Sequence, residues 1–230
     1  DYYLLCLAVR RLRGLGDKAC CMLVHTTLYA TCHNKLRRMI EADWLKKVRS
    51  DLDKWPDVVL DRFRNLWVSE ASALSPKVRQ SLQDSQLPEE IESFDAIQYE
   101  IPAALESITT IVENADSDDF LDFNDESKRH AIVIGGNVLA RGLTIEGLTV
   151  SYFVRASSQF DTLMQMGRWF GYRPGYSDLP RIWMTPELNA AFLDLVVLES
   201  EIRSDITLMS DQNLTPREFS IRVPQMPGMA

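Results

Sequence analysis

The sequence contains no apolar run near the roughly 18 residues that a membrane-spanning helix needs. Its four cysteines and three histidines form no C-x-x-C pair and no set with metal-ligand spacing. Reduced thiols in the core are therefore expected, which indicates a cytoplasmic protein. Positive charge is also scarce, since the 230 residues carry a net charge of -8. This disfavours a free-standing nucleic-acid clamp, so any contact with DNA must be local or shared with another domain.

Two signatures of a complete nucleotide site are absent as well. The chain has no G-x-x-x-x-G-K-[ST] phosphate loop and no Asp-Glu pair at a strand end that would hold magnesium. Gly135-Gly136-Asn137 follows a predicted strand but lacks the lysine. We therefore predict negligible ATP hydrolysis by this chain in isolation. Because it begins with Asp1 and a predicted amphipathic helix, we interpret it as a piece of a longer protein.

The order of apolar segments predicts an α/β fold. The short run from Ala19 to His25 predicts a buried strand, and a helix from Leu28 to Val48 follows it at once. A strand that feeds a helix through a tight polar turn is the building unit of a parallel sheet. The other predicted strands are Ile97 to Ile101, Ala131 to Ile134, Thr149 to Val154 and Arg181 to Met184, with helices at 158–170 and 186–210 and an extended end at 219–224.

One domain is predicted from this order, with three parts. The core covers about residues 14–50 and 128–186, and a helical insertion covers about 51–127. A C-terminal helix and tail cover 187–230. The acidic stretch from Glu113 to Glu126 predicts a solvated loop, and it lacks the nearby lysine typical of a nuclease site.

Arginine follows two of the predicted strands. Arg141 lies in the turn Ala140-Arg141-Gly142-Leu143-Thr144, and Arg168 and Arg173 lie in QMGRWFGYR, which closes the helix after the next strand. Arginine suits phosphate because its planar fork donates two hydrogen bonds and stays charged. A position after the carboxyl end of a strand faces the crevice where α/β sheets bind ligands. The turns therefore predict contacts with nucleotide phosphates, with surface salt bridges as the alternative.

Four segments together resemble the Z-one domain, a family described as an endonuclease domain and found attached to superfamily 2 ATPase lobes in bacterial restriction and defence proteins. They are CMLVHTT, IVIGGNVLARGLTIEGLTVSYFVR, FDTLMQMGRWFGYRPGY and PRIWMTPEL. The resemblance covers nearly the whole chain, and GRWFGYRPGY is its most specific part. The arginine turns also resemble those of the second RecA-like lobe of superfamily 2 helicases.

The resemblance implies a RecA-like lobe of an ATP-dependent DNA helicase or translocase from a restriction or phage-defence system. Arg168 and Arg173 would be its catalytic arginine fingers, and His25, Thr26 and Thr27 would contact a phosphate of the tracked DNA strand. The residues implied at the nucleotide are Arg141, Gly142, Thr144, Gln165 and Gly167. ATP and Mg²⁺ would be bound mainly by a preceding N-terminal lobe. Nuclease and methyltransferase subunits are the implied further partners.

Several alternatives remain open from the residues alone. The chain could be a DNA endonuclease domain, or a non-catalytic module that docks subunits of a restriction complex. His25 could be a base or a packing residue, and the aromatic residues beside Arg168 could stack on a base or pack in the core. The basic residues from Lys35 to Arg49 could contact DNA or form an ordinary solvated helix face.

Overall fold

The computed structural model describes residues 1–27, 29–74, 76–113, 120–136, 145–154 and 173–212. The described residues fall into two compact units. The first takes those within Asp1–Phe153 and Trp169–Trp183, and the second takes those within Val154–Arg168 and Met184–Ala230. No helix in the described part of the chain is both long and apolar enough to cross a membrane.

The first unit contains both helices and strands, as predicted for an α/β fold. The strands are β1 Cys21–His25, β2 Thr109–Glu113, β3 Ala131–Gly135, β4 Leu148–Phe153 and β5 Arg181–Met184. The helices of this unit are α1 Tyr2–Leu12, α2 Ala30–Arg38, α3 Lys46–Lys54, α4 Pro56–Ala73, α5 Pro76–Ser81, α6 Phe94–Ile97 and α7 Ile101–Ser107. Helix α8, Pro186–Asp211, lies in the second unit. A π-helix, Met39–Leu45, joins α2 to α3, and a short 3-10 helix covers Glu126–Lys128.

The five strands form one parallel sheet in the order β2-β3-β1-β4-β5. His25 at the end of β1 is level with Gly135 on β3 and with Phe153 on β4. The carboxyl ends of these three strands therefore share one edge of the sheet, here called the carboxyl edge. Cys21 pairs with Leu148 at the opposite, amino edge. The predicted RecA-like α/β fold, a parallel sheet flanked by helices, is confirmed.

Helix α1 is buried on every side rather than on one stripe. Every residue from Tyr2 to Arg10 is buried, and the helix contacts α4, α6, α7 and β4. A helix that is surrounded by protein needs apolar residues all round, which the run YYLLCLAV supplies. The Tyr3 hydroxyl donates to the carbonyl of Cys20 just before β1, at 2.7 Å. This bond ties the helix to the amino edge of the sheet.

The strand predicted from Ile97 to Ile101 is wrong. Ile97 ends α6 and Ile101 begins α7, and both side chains are fully buried at a spacing of four residues. That spacing suits helical turns, and Pro102 takes an early position of α7 where its missing N–H is not needed. The strand of this region is β2, whose Thr109, Thr110, Ile111 and Val112 are β-branched residues, and it lies within the stretch predicted as a helical insertion.

Other predicted elements agree with the structure to within a few residues or lie outside its described part. The helix predicted from Leu28 to Val48 is built from α2, the π-helix and α3, and it continues to Lys54. The strand predictions for β1, β3, β4 and β5 and the helix prediction for α8 are confirmed. The predicted helix at 158–170 and the extended end at 219–224 lie outside the described residues, as does part of the acidic loop.

Candidate functional site

At the carboxyl edge, β1 ends in a histidine that is packed against its neighbour in the sheet. His25 is fully buried. Its ring stacks on Phe153 of β4, with ring centroids 4.8 Å apart and planes inclined by 23°. The stack is possible because the parallel register places these two residues side by side. The structure thus gives His25 a packing contact, and its proposed contact with DNA stays a prediction.

The turn after His25 leads from β1 into α2. Thr27 fixes this turn twice, because its carbonyl accepts from His33 Nε2 at 2.9 Å and its Oγ1 accepts from the Tyr29 N–H at 3.3 Å. Thr26 differs, since its Oγ1 is inaccessible to solvent and has no hydrogen-bond partner in the structure. A buried hydroxyl without a partner is uncommon in folded proteins and costs about 1 to 3 kcal/mol.

Helix α2 begins at Ala30, three residues after this turn. Its N-cap residue, Tyr29, makes no side-chain hydrogen bond to the first turn of the helix. The amino end of a helix carries partial positive charge and N–H groups that lack partners within the helix. Such an end favours a phosphate oxygen. Thr26, Thr27 and the start of α2 therefore lie together at the carboxyl edge in an arrangement suited to an anion.

Arg173 lies at the other edge of the sheet. The side chain is half-buried, and its Nε donates to the carbonyl of Leu148, the first residue of β4, at 3.4 Å. Four residue steps separate Cys21, the partner of Leu148, from His25 on β1, which is about 13 Å at the rise of a β-strand. The structure therefore does not bring Arg173 together with His25, Thr26 and Thr27.

The position of Arg173 follows from the parallel sheet. We expected Arg173 at the carboxyl edge, as for any turn that follows a strand. However, the chain has to return to the amino edge before β5 can begin at Arg181 and run parallel to β4. Arg173 belongs to this returning segment. Its role as an arginine finger stays a prediction.

A second arginine accompanies Arg173 at the amino edge. Arg10 of α1 is buried, its guanidinium lies 4.0 Å from the centre of the Tyr176 ring, and its Nη1 donates to the carbonyl of Gly147 at 3.5 Å. Burial raises the pKa of the Tyr176 hydroxyl, and the positive charges of Arg10 and Arg173 act in the opposite direction. Two arginine side chains, Arg10 and Arg173, thus lie close to the start of β4.

Buried ion pairs hold the segment that follows Arg173. Arg13 donates from both terminal nitrogens to Asp178, at 2.6 and 2.9 Å, and also to Glu92. Arg79 forms a second ion pair with the Asp178 carboxylate, with its Nε 3.6 Å from Asp178 Oδ2. Sequence reasoning missed these residues because the partners stand up to 165 positions apart and no local pattern marks them.

The backbone of the same segment is held at Gly175. Its N–H donates to Asp84 Oδ2 at 2.8 Å, and its carbonyl accepts from Arg13 Nη1 at 3.0 Å. Burial acts to raise the pKa of Asp84, but hydrogen bonds from Ser177, Gln86 and Gly175 hold it below the usual value. Asp84 is therefore a carboxylate at neutral pH and remains a strong acceptor for the Gly175 N–H.

The remaining predicted site residues lie outside the part of the chain that the structure describes. They are Arg141, Gly142, Thr144, Gln165, Gly167 and Arg168. Among the described residues, no group of three or more His, Cys, Asp or Glu side chains could hold a metal ion.

Fold and site together define an α/β domain with a parallel sheet, an anion-favouring turn at one edge and buried arginine at the other. The family model of the Z1 domain matches residues 1–229, and the chain belongs to this family. The predicted membership of the Z-one (Z1) family is therefore confirmed. No curated protein matches the chain, and no solved structure matches it.

Proposed function

We propose that this chain is the C-terminal RecA-like lobe of an ATP-dependent DNA helicase or translocase of a restriction or phage-defence system. The observation that carries the proposal is the separation of two sites suited to phosphate on one parallel sheet. Arg173 lies at the amino edge, and the turn with Thr26 and Thr27 lies at the carboxyl edge. A motor lobe needs one surface for nucleotide and another for nucleic acid, joined by a rigid element, and the sheet supplies that element.

At the amino edge, Arg173 would complete an ATP site that a preceding lobe of the same protein forms. Its guanidinium suits phosphate, and a second arginine, Arg10, lies at the same edge. Bound ATP with Mg²⁺ supplies the γ-phosphoryl group whose hydrolysis drives the motor. Arg173, together with Arg168, would stabilise the negative charge that develops on the phosphoryl oxygens. Closure of the two lobes on ATP and their opening after hydrolysis would move the sheet as one body.

At the carboxyl edge, the Thr26 hydroxyl and the amino end of α2 would bind a backbone phosphate of DNA. The hydroxyl has no hydrogen-bond partner among the described residues, and a rotation about χ1 would present it to an incoming oxygen. Arg141, Gly142 and Thr144 follow β3 in sequence, so they would extend this contact toward the nucleotide. Nuclease and methyltransferase subunits would act beside the motor.

DNA-stimulated ATP hydrolysis tests the arginine fingers. In the full-length protein, we expect Arg168→Ala and Arg173→Ala each to lower turnover by about a hundredfold, or about 2.7 kcal/mol in the barrier. Binding of a fluorescent ATP analogue should persist, because the preceding lobe would supply most nucleotide contacts. Arg203→Ala is the matched control, since Arg203 is an exposed arginine that pairs with Glu199 one helical turn away.

Thermal melting of each variant confirms that it is folded. Turnover that is unchanged in both finger variants would contradict the motor proposal and favour the non-catalytic docking module. A loss confined to Arg168→Ala would assign the finger role to that residue alone. Arg173→Lys keeps the positive charge without the planar fork, so a defect nearly as large as that of alanine would show that the two-pronged geometry matters.

The Thr26 hydroxyl allows a test with opposite effects on binding and stability. We expect Thr26→Val to weaken DNA binding about tenfold, because a hydrogen bond to a charged phosphate is lost. The free energy of unfolding should stay constant or rise by up to about 1 kcal/mol, since the variant removes a buried hydroxyl that has no partner. Fluorescence anisotropy and urea denaturation measure the two quantities.

Thr149→Val is the control for this substitution. The Thr149 hydroxyl is buried and donates to the carbonyl of Gly147 at 2.9 Å. Its loss should destabilise the fold by about 1 kcal/mol and leave DNA binding unchanged. Equal DNA affinity of wild type and Thr26→Val would remove Thr26 from the proposed contact.

A further inference from the structure

A single helical run leads away from the proposed phosphate site. The elements α2, the π-helix and α3 follow one another without a break from Ala30 to Lys54. From Ala30 to Lys54 this run contains seven basic and four acidic residues, whereas the whole chain carries a net charge of -8. Positive charge is thus concentrated on one helix of an acidic protein.

The structure divides these basic residues into two groups. Arg37 pairs with Glu41 at 3.0 Å, and Arg49 pairs with Glu106 at 2.9 Å. The side chains of Lys35, Arg38 and Lys47 are exposed and make no hydrogen bond or ion pair with the residues that the structure describes. Lys46 is also exposed. Burial acts to raise the pKa of Glu41, but hydrogen bonds from Thr110 and Arg37, together with the charge of Lys46, hold it below the usual value.

The four exposed basic residues share the solvent-facing side of the helix. The opposite side is occupied by Leu36, Ile40, Trp44, Leu45 and Val48, which belong to or pack against the core. Lys35 and Arg38 are three positions apart, so they are neighbours on one face of α2. The π-helix between α2 and α3 changes the helical phase, and Lys46 and Lys47 return to the exposed face beyond it.

The location of this face argues for a nucleic-acid backbone as its partner. The helix that carries this face begins at Ala30, three residues after Thr27, and its first exposed basic residues, Lys35 and Arg38, lie in the last turn of α2. Lys47 lies about 18 Å beyond Lys35 at the rise of an α-helix. A phosphate backbone bound at the turn can continue along this face and meet successive cations. A membrane surface is a poorer fit, because the apolar side of the helix is already buried in the core and cannot enter lipid.

We propose that Lys35, Arg38, Lys46 and Lys47 form a track that holds the phosphate backbone of DNA beyond the Thr26 turn. This proposal rests on the proposed function, because it extends the same DNA-binding site. The track contacts phosphates rather than bases, so its contribution is independent of DNA sequence. It should also fall with salt, since each contact releases condensed counterions.

The salt dependence of DNA binding tests the track. The full-length proteins are wild type, Lys35→Gln/Arg38→Gln and the control Lys18→Gln/Lys77→Gln, which removes two exposed basic residues elsewhere and changes the net charge equally. The probe is a fluorescein-labelled DNA duplex of arbitrary sequence, titrated at several salt concentrations. For the track variant, we expect binding about tenfold weaker at low salt and a slope of log K against log salt reduced by about 2.

Lys46→Gln/Lys47→Gln should behave like the first pair, which separates a continuous track from a local effect at the end of α2. ATP turnover at saturating DNA should be unchanged in both variants, because neither pair belongs to the nucleotide site. If wild type binds DNA and the track variants keep the wild-type slope, the track is overturned while the motor proposal stands. If wild type binds no DNA, the motor proposal is overturned and the track with it.

Discussion

Replacing Gly147 with alanine is expected to lower the free energy of unfolding by more than about 3 kcal/mol, enough to unfold much of the protein. A Cβ at this position would lie 1.8 Å from the carbonyl oxygen of Ala19 and 2.4 Å from its carbon. Both are backbone atoms, so no side-chain rotation relieves the clash. The Gly147 carbonyl is also fixed, because it accepts from the Cys21 N–H at 2.9 Å. The loss should appear in urea denaturation followed by circular dichroism.

Gly14→Ala is the matched control, because it separates the clash from the cost of the backbone angle. Gly14 has a φ of +70° and Gly147 a φ of +66°, so alanine meets the same left-handed conformation at both positions. At Gly14, however, an added Cβ would have nothing within 4 Å. This control should cost only about 1 to 2 kcal/mol. Equal losses in the two variants would show that the close approach of Ala19 and Gly147 is not what stabilises the start of β4.

Replacing Asp178 with alanine is expected to cost about 3 to 5 kcal/mol, the range for breaking a buried ion pair from one side. Asp178 and Arg13 are almost completely buried, with side-chain exposures of 1% and 6%. Burial acts to lower the pKa of Arg13, but hydrogen bonds and charge from Glu92 and Asp178 raise it above the ordinary value. Removing Asp178 takes away one of the two carboxylates that hold the buried Arg13 guanidinium and also removes the carboxylate beside Arg79. Chemical denaturation measures the loss.

Glu199→Gln supplies the comparison for Asp178. Glu199 pairs with Arg203 at 2.6 Å, which is as short as the shortest Arg13–Asp178 contact. The side chains of Glu199 and Arg203, however, are both largely exposed. Solvent screens such a pair, so the variant should change stability by about 0.5 kcal/mol or less. An Asp178→Ala variant as stable as Glu199→Gln would mean that burial adds nothing to this ion network.

Local sequence patterns predict four of the five strands but not β2, which is one of the two edge strands of the sheet. The strands β1, β3 and β4 read as buried apolar runs, and β5 and α8 lie within a few residues of their predicted limits. At Ile97 to Ile101, two isoleucines four residues apart fit a strand or two helical turns equally in so short a stretch. The structure settles the choice through tertiary packing, because both side chains enter the core around α1.

The candidate site was predictable in its chemistry but not in its layout. Residue type indicated that Arg173 suits phosphate, and the family resemblance implied a phosphate contact at His25, Thr26 and Thr27. The edge on which each lies depends on the path of the chain between parallel strands, and that path is fixed by contacts such as Arg13 with Asp178. Partners so distant in sequence leave no periodic signal. The unpartnered Thr26 hydroxyl is likewise visible only in three dimensions.

The anchoring of Gly175 determines how Arg173 can move. Both hydrogen-bonding groups of Gly175 are occupied, its N–H by Asp84 and its carbonyl by Arg13. Pro174, which lies between Arg173 and Gly175, has a fixed φ. The residue before a proline, here Arg173, is restricted to extended backbone conformations. The backbone that follows Arg173 is therefore rigid and contains no hinge close to this residue. Its guanidinium can be redirected relative to the sheet mainly through side-chain torsions, and larger displacements must carry the whole sheet with them.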